Sequence, residues 1–363
     1  MHRRRESGLA QRSKRARIDD VADAAGVSKT AVSFAFNNPD RLRADTATRI
    51  RDVAEQLGYR PNPVARMLTA GRTLTIGILT PQALSVVFTN PFFGEFSEGV
   101  ARAAEQEGYG LHFISPRAGS LAGSLARATV DGVVAIGLNG EHPEVEQIRS
   151  GGVPMVLVDN RDMIEQPGIV VDDEGGAHSA AAYLLGEGHR SFMVIAMEPP
   201  QAGAPLDPNG VMGRRLAGYR RALGAFDLQI PDQALLMGPA SIDGGIRAFR
   251  RGWERGDRPT AILAMSDAMA IGAMHAARDL GLRVPADLSV AGFDDIDLAR
   301  YTDPPLTTVH QPIREKGERA ARLLLRLIAD GTGPFEREEL ETHLVVRGST
   351  GPVPPRRQVV PST

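Results

Sequence analysis

The chain of 363 residues contains no cysteine, so it has no disulfide framework, no thiolate metal site and no thiol nucleophile. It has no uninterrupted apolar stretch long enough to span a bilayer. Met1-His2-Arg3-Arg4-Arg5 has the charge of a signal n-region, but no apolar run follows it, which argues for a cytoplasmic protein. Catalytic equipment is sparse as well. Asp172-Asp173 and Asp294-Asp295 with Asp297 form carboxylate pairs at strand ends, yet no histidine stands at ligand spacing and no phosphate-cradling glycine loop occurs. His178, His189 and His310 are scattered and read as structural or exposed. Without a nucleophile, base and orienting group together, no catalytic residue, metal or cofactor is expected.

What is present is an ordinary globular composition, 42% hydrophobic and 24% charged, in a chain long enough for two or three domains. The net charge of −2 conceals an asymmetry. Residues 1–72 hold fifteen Lys and Arg against eight Asp and Glu, a net of +7, which leaves 27 against 36, a net of −9, for the remainder. A small basic piece on an acidic body suits contact with phosphates. Arg3, Arg4, Arg5, Arg12, Lys14 and Arg15 taken alone read as a solvated, disordered arm over residues 1–16.

The stretch Arg17–Asn37 carries the sharpest signal. Ile18, Val21, Ala22 and Ala25 fall on one helical face. Gly26 permits the left-handed conformation of a sharp turn. Ser28 then suits the N-cap of a second helix with Ala31, Val32 and Ala35 inward. Small alanines let the helices cross closely and leave Lys29, Thr30, Ser33 and Phe34 to project. This is the layout of a helix-turn-helix, whose second helix enters the DNA major groove; an αα-hairpin of an unrelated bundle has the same pattern. A turn at Asn37-Asn38-Pro39-Asp40 leads to a third helix bearing Ile50, Val53, Ala54 and Leu57, closed by Gly58.

In the linker that follows, Asn62 precedes proline and suits an N-cap, Pro63 suits the first helical position, and Gly71 stops the helix. A helix this short forms only against a partner, which makes the linker a candidate switch. From Leu74 onward, strand candidates Leu74–Leu79, Leu111–Ser115, Val130–Ile136 and Val153–Val158 precede a second series, Ile169–Val171, Ser191–Ala196, Ala261–Met265 and Leu288–Ala291. Helices Phe93–Gln106, Ala177–Leu185, Arg215–Leu223 and Ala268–Leu280 alternate with them. Such alternation predicts parallel sheets in two α/β subdomains, with ligands at the C-terminal strand ends. The Pro-rich tail Gly351–Thr363 reads as disordered.

With these pieces the chain resembles the LacI/GalR family of bacterial transcriptional regulators over roughly residues 16–350. The matching motifs are Asp20-Val21-Ala22 through Asn37, Gly58-Tyr59-Arg60-Pro61-Asn62 with Ala65-Arg66 and Leu68, and Asn90-Pro91-Phe92-Phe93. Val130-Asp131-Gly132, Asp172-Asp173 with Gly176, and Gly188-His189-Arg190 follow. Arg215–Tyr219, Ser266–Ala270, Gly292–Asp295 and Pro305–Val309 complete the series. Their order and spacing, rather than any single motif, carry the resemblance.

The resemblance implies an all-α helix-turn-helix domain at 17–62, a hinge helix at 63–73, and a periplasmic-binding-protein-like body at 74–350. It divides the body into an N-subdomain (about 74–171 and 307–336) and a C-subdomain (about 172–306 and 337–350). It further implies a homodimer that reads a roughly palindromic double-stranded DNA operator, most often as a repressor, with no membrane partner. Ser28, Lys29, Thr30, Ser33, Phe34 and Asn37 are the major-groove candidates. Tyr59, Asn62, Ala65, Arg66 and Leu68 complete the DNA set, with Leu68 wedging the minor groove. The effector, a carbohydrate or derivative, is expected to meet Arg215 and Asp294, with Phe92 and Phe93 as an aromatic wall. Asp159, Ser266, Asp267 and Gln311 stand at the edge, Asp267 doubling as the N-cap of Ala268–Leu280.

Three positions depart from the family pattern. Phe34 stands where many members carry arginine, so a guanine contact is lost there and a ring can pack on a thymine methyl. Arg17 replaces a hydroxyl cap, and Ala47 replaces a basic residue. A sugar-binding transport protein with the same body would need an export signal and would have no use for residues 17–70. The Pro-rich end, Val353-Pro354-Pro355-Arg356-Arg357, offers no leucine heptads for a tetramer.

Overall fold

A computed structural model describes residues 16–61, 71–140, 142–199, 207–256, 258–331 and 336–353. The chain divides after Thr73 into two units.

In the first unit, helices Ile18–Ala25, Lys29–Asn37 and Ala44–Gln56 surround a core of Val21, Ala22, Ala25, Val32, Ala35, Ile50 and Ala54. The first helix does without a hydroxyl cap, because the Arg17 backbone N–H donates to Asp20 Oδ2 at 2.7 Å. Gly26 takes φ +63°, as the turn demands. The Ser28 hydroxyl accepts from the Ala31 N–H at 3.1 Å and so starts the second helix. Arg51 Nε donates to the Ala35 carbonyl at 3.1 Å, tying the third helix to the second. Ala47 is buried; it fills core rather than leaving a surface contact unmade. The expected hinge helix, with Asn62, Ala65, Arg66 and Leu68, lies outside the described residues.

The second unit holds strands β1 (Thr75–Leu79), β2 (Gly110–Ile114), β3 (Gly132–Ile136), β4 (Met155–Val158), β5 (Gly168–Val171), β6 (Phe192–Met197), β7 (Leu235–Gly238), β8 (Ala261–Ala264), β9 (Ser289–Asp294), β10 (Thr307–His310), β11 (Arg337–Leu340) and β12 (His343–Val345). They form two six-stranded sheets, in the orders β11-β5-β4-β3-β1-β2 and β12-β10-β9-β8-β6-β7. The β10–β12 pair is antiparallel and the remaining pairs are parallel. Strands β3, β8 and β9 are buried along their whole length, as parallel strands covered on both faces must be.

Hydrogen-bond register moves two expected subdomain boundaries. Thr307–His310 pairs with Ala291–Asp294 and stays in the C-subdomain. Arg337–Leu340 pairs with Gly168–Val171 and stays in the N-subdomain. The chain therefore crosses between sheets at 171–173, 310–313 and 340–343, not near 306 and 336. The tail reading also needs correction at its start. Gly351 N–H donates to Ser289 Oγ at 3.2 Å, and the Val353 N–H donates to the Glu187 carbonyl at 2.9 Å. Among the described residues no helix is long and apolar enough to cross a membrane.

Helix Ile313–Asp330 packs across helix Pro91–Gln106 on the N-subdomain. A Cβ at Gly99 would collide with the Arg314 carbonyl oxygen, and one at Gly317 with that of Phe96. Gly99→Ala should therefore cost about 1–3 kcal/mol through forced separation of the helices, read as a lower urea midpoint. A midpoint equal to the wild type would show that the helices do not meet this closely.

Candidate functional site

Each sheet presents its C-terminal strand ends to the cleft between the subdomains, where open α/β folds place ligands. Asp159 follows β4, Ser266 and Asp267 follow β8, Asp294 ends β9, and Gln311 follows β10. Helix Val211–Gly224 delivers Arg214 and Arg215, and the start of helix Asp173–Gly186 delivers Asp173. All of these side chains except Asp159, itself largely covered, are buried.

These side chains close into a ring. Arg215 Nε donates to Asp173 Oδ1 at 2.9 Å, and its Nη1 lies 3.4 Å from Asp294 Oδ1 and also meets the Met265 carbonyl. Its guanidinium stacks over the Phe293 ring at 3.6 Å. Gln311 Nε2 donates to Asp294 Oδ1 at 2.6 Å, while its Oε1 accepts from Lys316 Nζ, also at 2.6 Å. Lys316 Nζ then donates to Asp159 at 2.8 and 3.0 Å, spending its three protons. Arg214 completes the circuit from Asp173 Oδ2, at 2.6 Å, to the Asp159 carbonyl, at 3.1 Å. Asp159 and Lys316 belong to the N-subdomain, whereas Asp173, Arg214, Arg215 and Asp294 belong to the C-subdomain. Gln311 sits on a crossover, so the ring ties the two halves together.

Burial and charge set the protonation of the carboxyls. Burial alone would raise Asp173, but Arg215 and Arg214 more than reverse this and hold it below its ordinary value. Burial, only partly offset by Arg215, pushes Asp294 up to about 6. Burial and the neighbouring Asp294 hold Asp267 well above the carboxylate range. Asp159, Asp294 and Asp295 take φ of +60°, +125° and +56°, strained conformations that concentrate at functional sites.

Several sequence expectations resolve here. Arg215, Asp294, Gln311 and Asp159 come together in the ring. Phe92 places its ring 5.0 Å from Lys316 Nζ, whereas Phe93 is buried in the apolar core with its ring edge-on to Phe92. The helix cap is Ser266, which accepts from the Met269 N–H, and not Asp267. Asp267 instead accepts from the Ile296 N–H at 3.0 Å and the Thr308 hydroxyl at 2.5 Å, because its position inside the first turn points it across to β10. The acidic pairs are neutralised from outside. Asp295 meets His310 at 3.0 Å and Arg347 at 2.6 Å, and Asp297 meets Arg314 at 2.6 Å. Among the described residues no group of three His, Asp or Glu could hold a metal.

Sequence reasoning passed over Lys316, Asp173 and Arg214 as cleft residues. The signal for Lys316 was available: Ile313, Lys316, Gly317, Ala320, Ala321 and Leu324 make one buried stripe, in which a lysine is out of place.

On the helix-turn-helix unit, Lys29, Thr30 and Asn37 are exposed and Ser33 and Phe34 half-buried on the flank away from the core. Lys29 pairs with Asp19 at 2.7 Å, and Asn37 Nδ2 donates to Ser33 Oγ at 3.2 Å. Tyr59 packs against Phe36, ring centroids 5.9 Å apart, as a half-buried member of the small core.

Residues 17–62 match the model for bacterial regulatory proteins of the lacI family, and residues 181–350 match a periplasmic binding protein-like domain. The chain is 33% identical over 346 residues to the HTH-type transcriptional regulator CelR of Thermobifida fusca, spanning 93% of this chain and 99% of that one. The chain belongs to the lacI family. It is thus a DNA-binding transcriptional regulator and not an enzyme. The solved lac repressor dimer bound to operator and the anti-inducer ONPF superposes on this lacI-family regulator with a TM-score of 0.76 at 27% identity, over 93% of this chain and 100% of that one. A CelR–cellobiose complex gives 0.67 at 31% identity, over 92% and 100%.

Two outcomes follow from the ring. Lys316→Met leaves the Asp159 carboxylate without its cation and should cost about 3–5 kcal/mol, with partial recovery in Lys316→Met/Asp159→Asn; a cycle with no coupling would mean the pair is not formed. Asp294 is raised in the folded state, so its protonated form stabilises the fold at low pH and that stabilisation is lost as pH rises through about 6. Denaturation of wild type and Asp294→Asn between pH 7.5 and 5 should move their difference toward the wild type as pH falls, by about 3 kcal/mol at most. A difference independent of pH would place Asp294 at its ordinary value.

Proposed function

We propose that this regulator binds a roughly palindromic operator as a homodimer and that a sugar-like effector, taken between the subdomains, sets its operator affinity. The observation that carries this reading is the ring of charged side chains that joins the two subdomains at the C-terminal strand ends. Its chemistry suits a polyhydroxyl ligand. Guanidinium and carboxylate groups fix neighbouring hydroxyls, while the Phe92 ring offers an apolar face. A relative solved as a complex with cellobiose and another bound to operator as a dimer support the same assignment. The chain works in the cytoplasm on this reading, and repression is the direction we assign.

The effector acts by linkage. It shifts DNA affinity only by its differential affinity for two subdomain arrangements, a coupling of about 1–3 kcal/mol. Entry of hydroxyls between Asp294, Arg215 and Gln311 exchanges ring hydrogen bonds for ligand ones and changes what holds the halves together. For the dimer we point to the exposed edge strand β2. There Leu111 and Phe113 are half-buried, and the ring of Phe88, 68% exposed, lies tilted against that of Phe113 with centroids 5.4 Å apart. Lys29, Thr30, Ser33, Phe34 and Asn37 are assigned to the major groove, with Leu68 to the minor groove.

The test is a thermal-shift panel of sugars, sugar phosphates and nucleosides on purified protein, with anisotropy on operator DNA alongside. A selective upward shift, lost in Arg215→Gln and Asp294→Asn while both variants still bind DNA, is the expected result. A shift that survives in both folded variants would place the effector elsewhere.

A further inference from the structure

We propose that Arg41 and Phe34 act as one reading unit, Arg41 contacting a guanine and Phe34 the methyl of the adjacent thymine in each operator half-site. This rests on the assignment of helix Lys29–Asn37 to the major groove. That helix offers few free donors of its own. Lys29 is engaged by Asp19, Ser33 and Asn37 hydrogen-bond each other, and the helix contains no arginine. A guanidinium reaches the same face from outside it. Arg41 Cζ lies 5.4 Å from the centroid of the Phe34 ring.

The backbone under Arg41 is held firmly. It closes the 3-10 turn Pro39–Arg41, with the Arg41 N–H on the Asn38 carbonyl and the Leu42 N–H on the Pro39 carbonyl, both at 3.0 Å. Leu42 packs against the core next to it. The Arg41 side chain is exposed and makes no ion pair among the described residues. Its fork is therefore available to O6 and N7 of guanine, the pairing that arginine geometry favours most. The ring beneath orients the guanidinium, worth about 0.5–1 kcal/mol at an exposed site, and lessens the rotamer entropy lost on binding. Phe34 has no donor, so its contribution is apolar contact, for which a thymine methyl is the major-groove partner. The 5.4 Å between the two groups is less than two base steps of about 3.4 Å, which places their targets next to each other.

The test begins with selection of binding sites from randomised DNA by the full-length protein. Anisotropy then compares wild type, Arg41→Ala and Phe34→Ala on the selected site, on copies with 7-deazaguanine at single guanines, and on copies with deoxyuridine at single thymines. The expected result is one guanine per half-site at which 7-deazaguanine weakens wild type about tenfold or more and leaves Arg41→Ala unchanged. Deoxyuridine at its neighbour should weaken wild type a few-fold and leave Phe34→Ala unchanged. Melting curves and nonspecific DNA affinity show whether each variant is folded, and Arg41→Lys, which keeps charge without the fork, serves if Arg41→Ala is not. If Arg41→Ala weakens every site equally, with a shallower salt dependence, Arg41 touches phosphate only and the proposal fails. Recovery of a site whose recognition neither residue affects also overturns it while leaving sequence-specific binding intact. Failure to enrich any sequence would overturn both.

Discussion

Asp173 is a fully buried carboxylate, and a buried charge survives only when it is paired and hydrogen-bonded. Its partners, Arg214 and Arg215, are adjacent in sequence and approach from one helix, each taking a different oxygen. From that anchor the rest of the cleft follows. Arg215 is held where it meets Asp294 and lies on Phe293, and Arg214 is held where it reaches the Asp159 carbonyl of the other subdomain. A network of this kind adds little to stability, because the desolvation of its charges offsets most of their attraction. Its value lies in geometry. The groups we assign to the ligand are fixed by one another, and the same hydrogen bonds tie the two subdomains together.

That coupling gives the cleft two jobs at once. A ligand that exchanges its own hydroxyls for ring contacts changes the balance between subdomain arrangements, and nothing else about the chain needs to change. Lys316 belongs to the same network. With three protons committed to Asp159 and Gln311, it occupies the floor of the cleft as a resident cation whose charge is already neutralised. On the proposed reading an effector meets a site in which positive and negative groups balance, a setting for hydroxyls more than for a strongly charged group.

The helix-turn-helix unit follows a different physics. Its core is a handful of small residues, and alanines at the crossing points leave its helices near enough for Arg51 to reach the Ala35 carbonyl. On its surface, the guanidinium of Arg41 lies over the ring of Phe34.

The sequence by itself determined the elements whose signals are local. Gly26 and Ser28 mark the turn and the cap because left-handed backbone and an unpaired helix N–H have few chemical solutions. The apolar strands β1, β3, β4, β6 and β8 were legible because strands buried on both faces are continuously apolar. Strands β11 and β12, Arg337-Glu-Glu-Leu and His343-Leu-Val, were not, since a polar edge strand looks like a loop until its partner supplies the hydrogen bonds. The apolar stripe of helix Ile313–Asp330 and the lysine inside it were visible in the sequence, but the partners of that lysine were not. Arg215 and Asp294 were legible as cleft residues through family motifs. Only tertiary structure decided that Asp173, Arg214 and Lys316 join them, that Ser266 and not Asp267 caps its helix, and where the chain crosses between sheets. Those outcomes depend on groups brought together from 159 to 316, and no local pattern records a partner that distant.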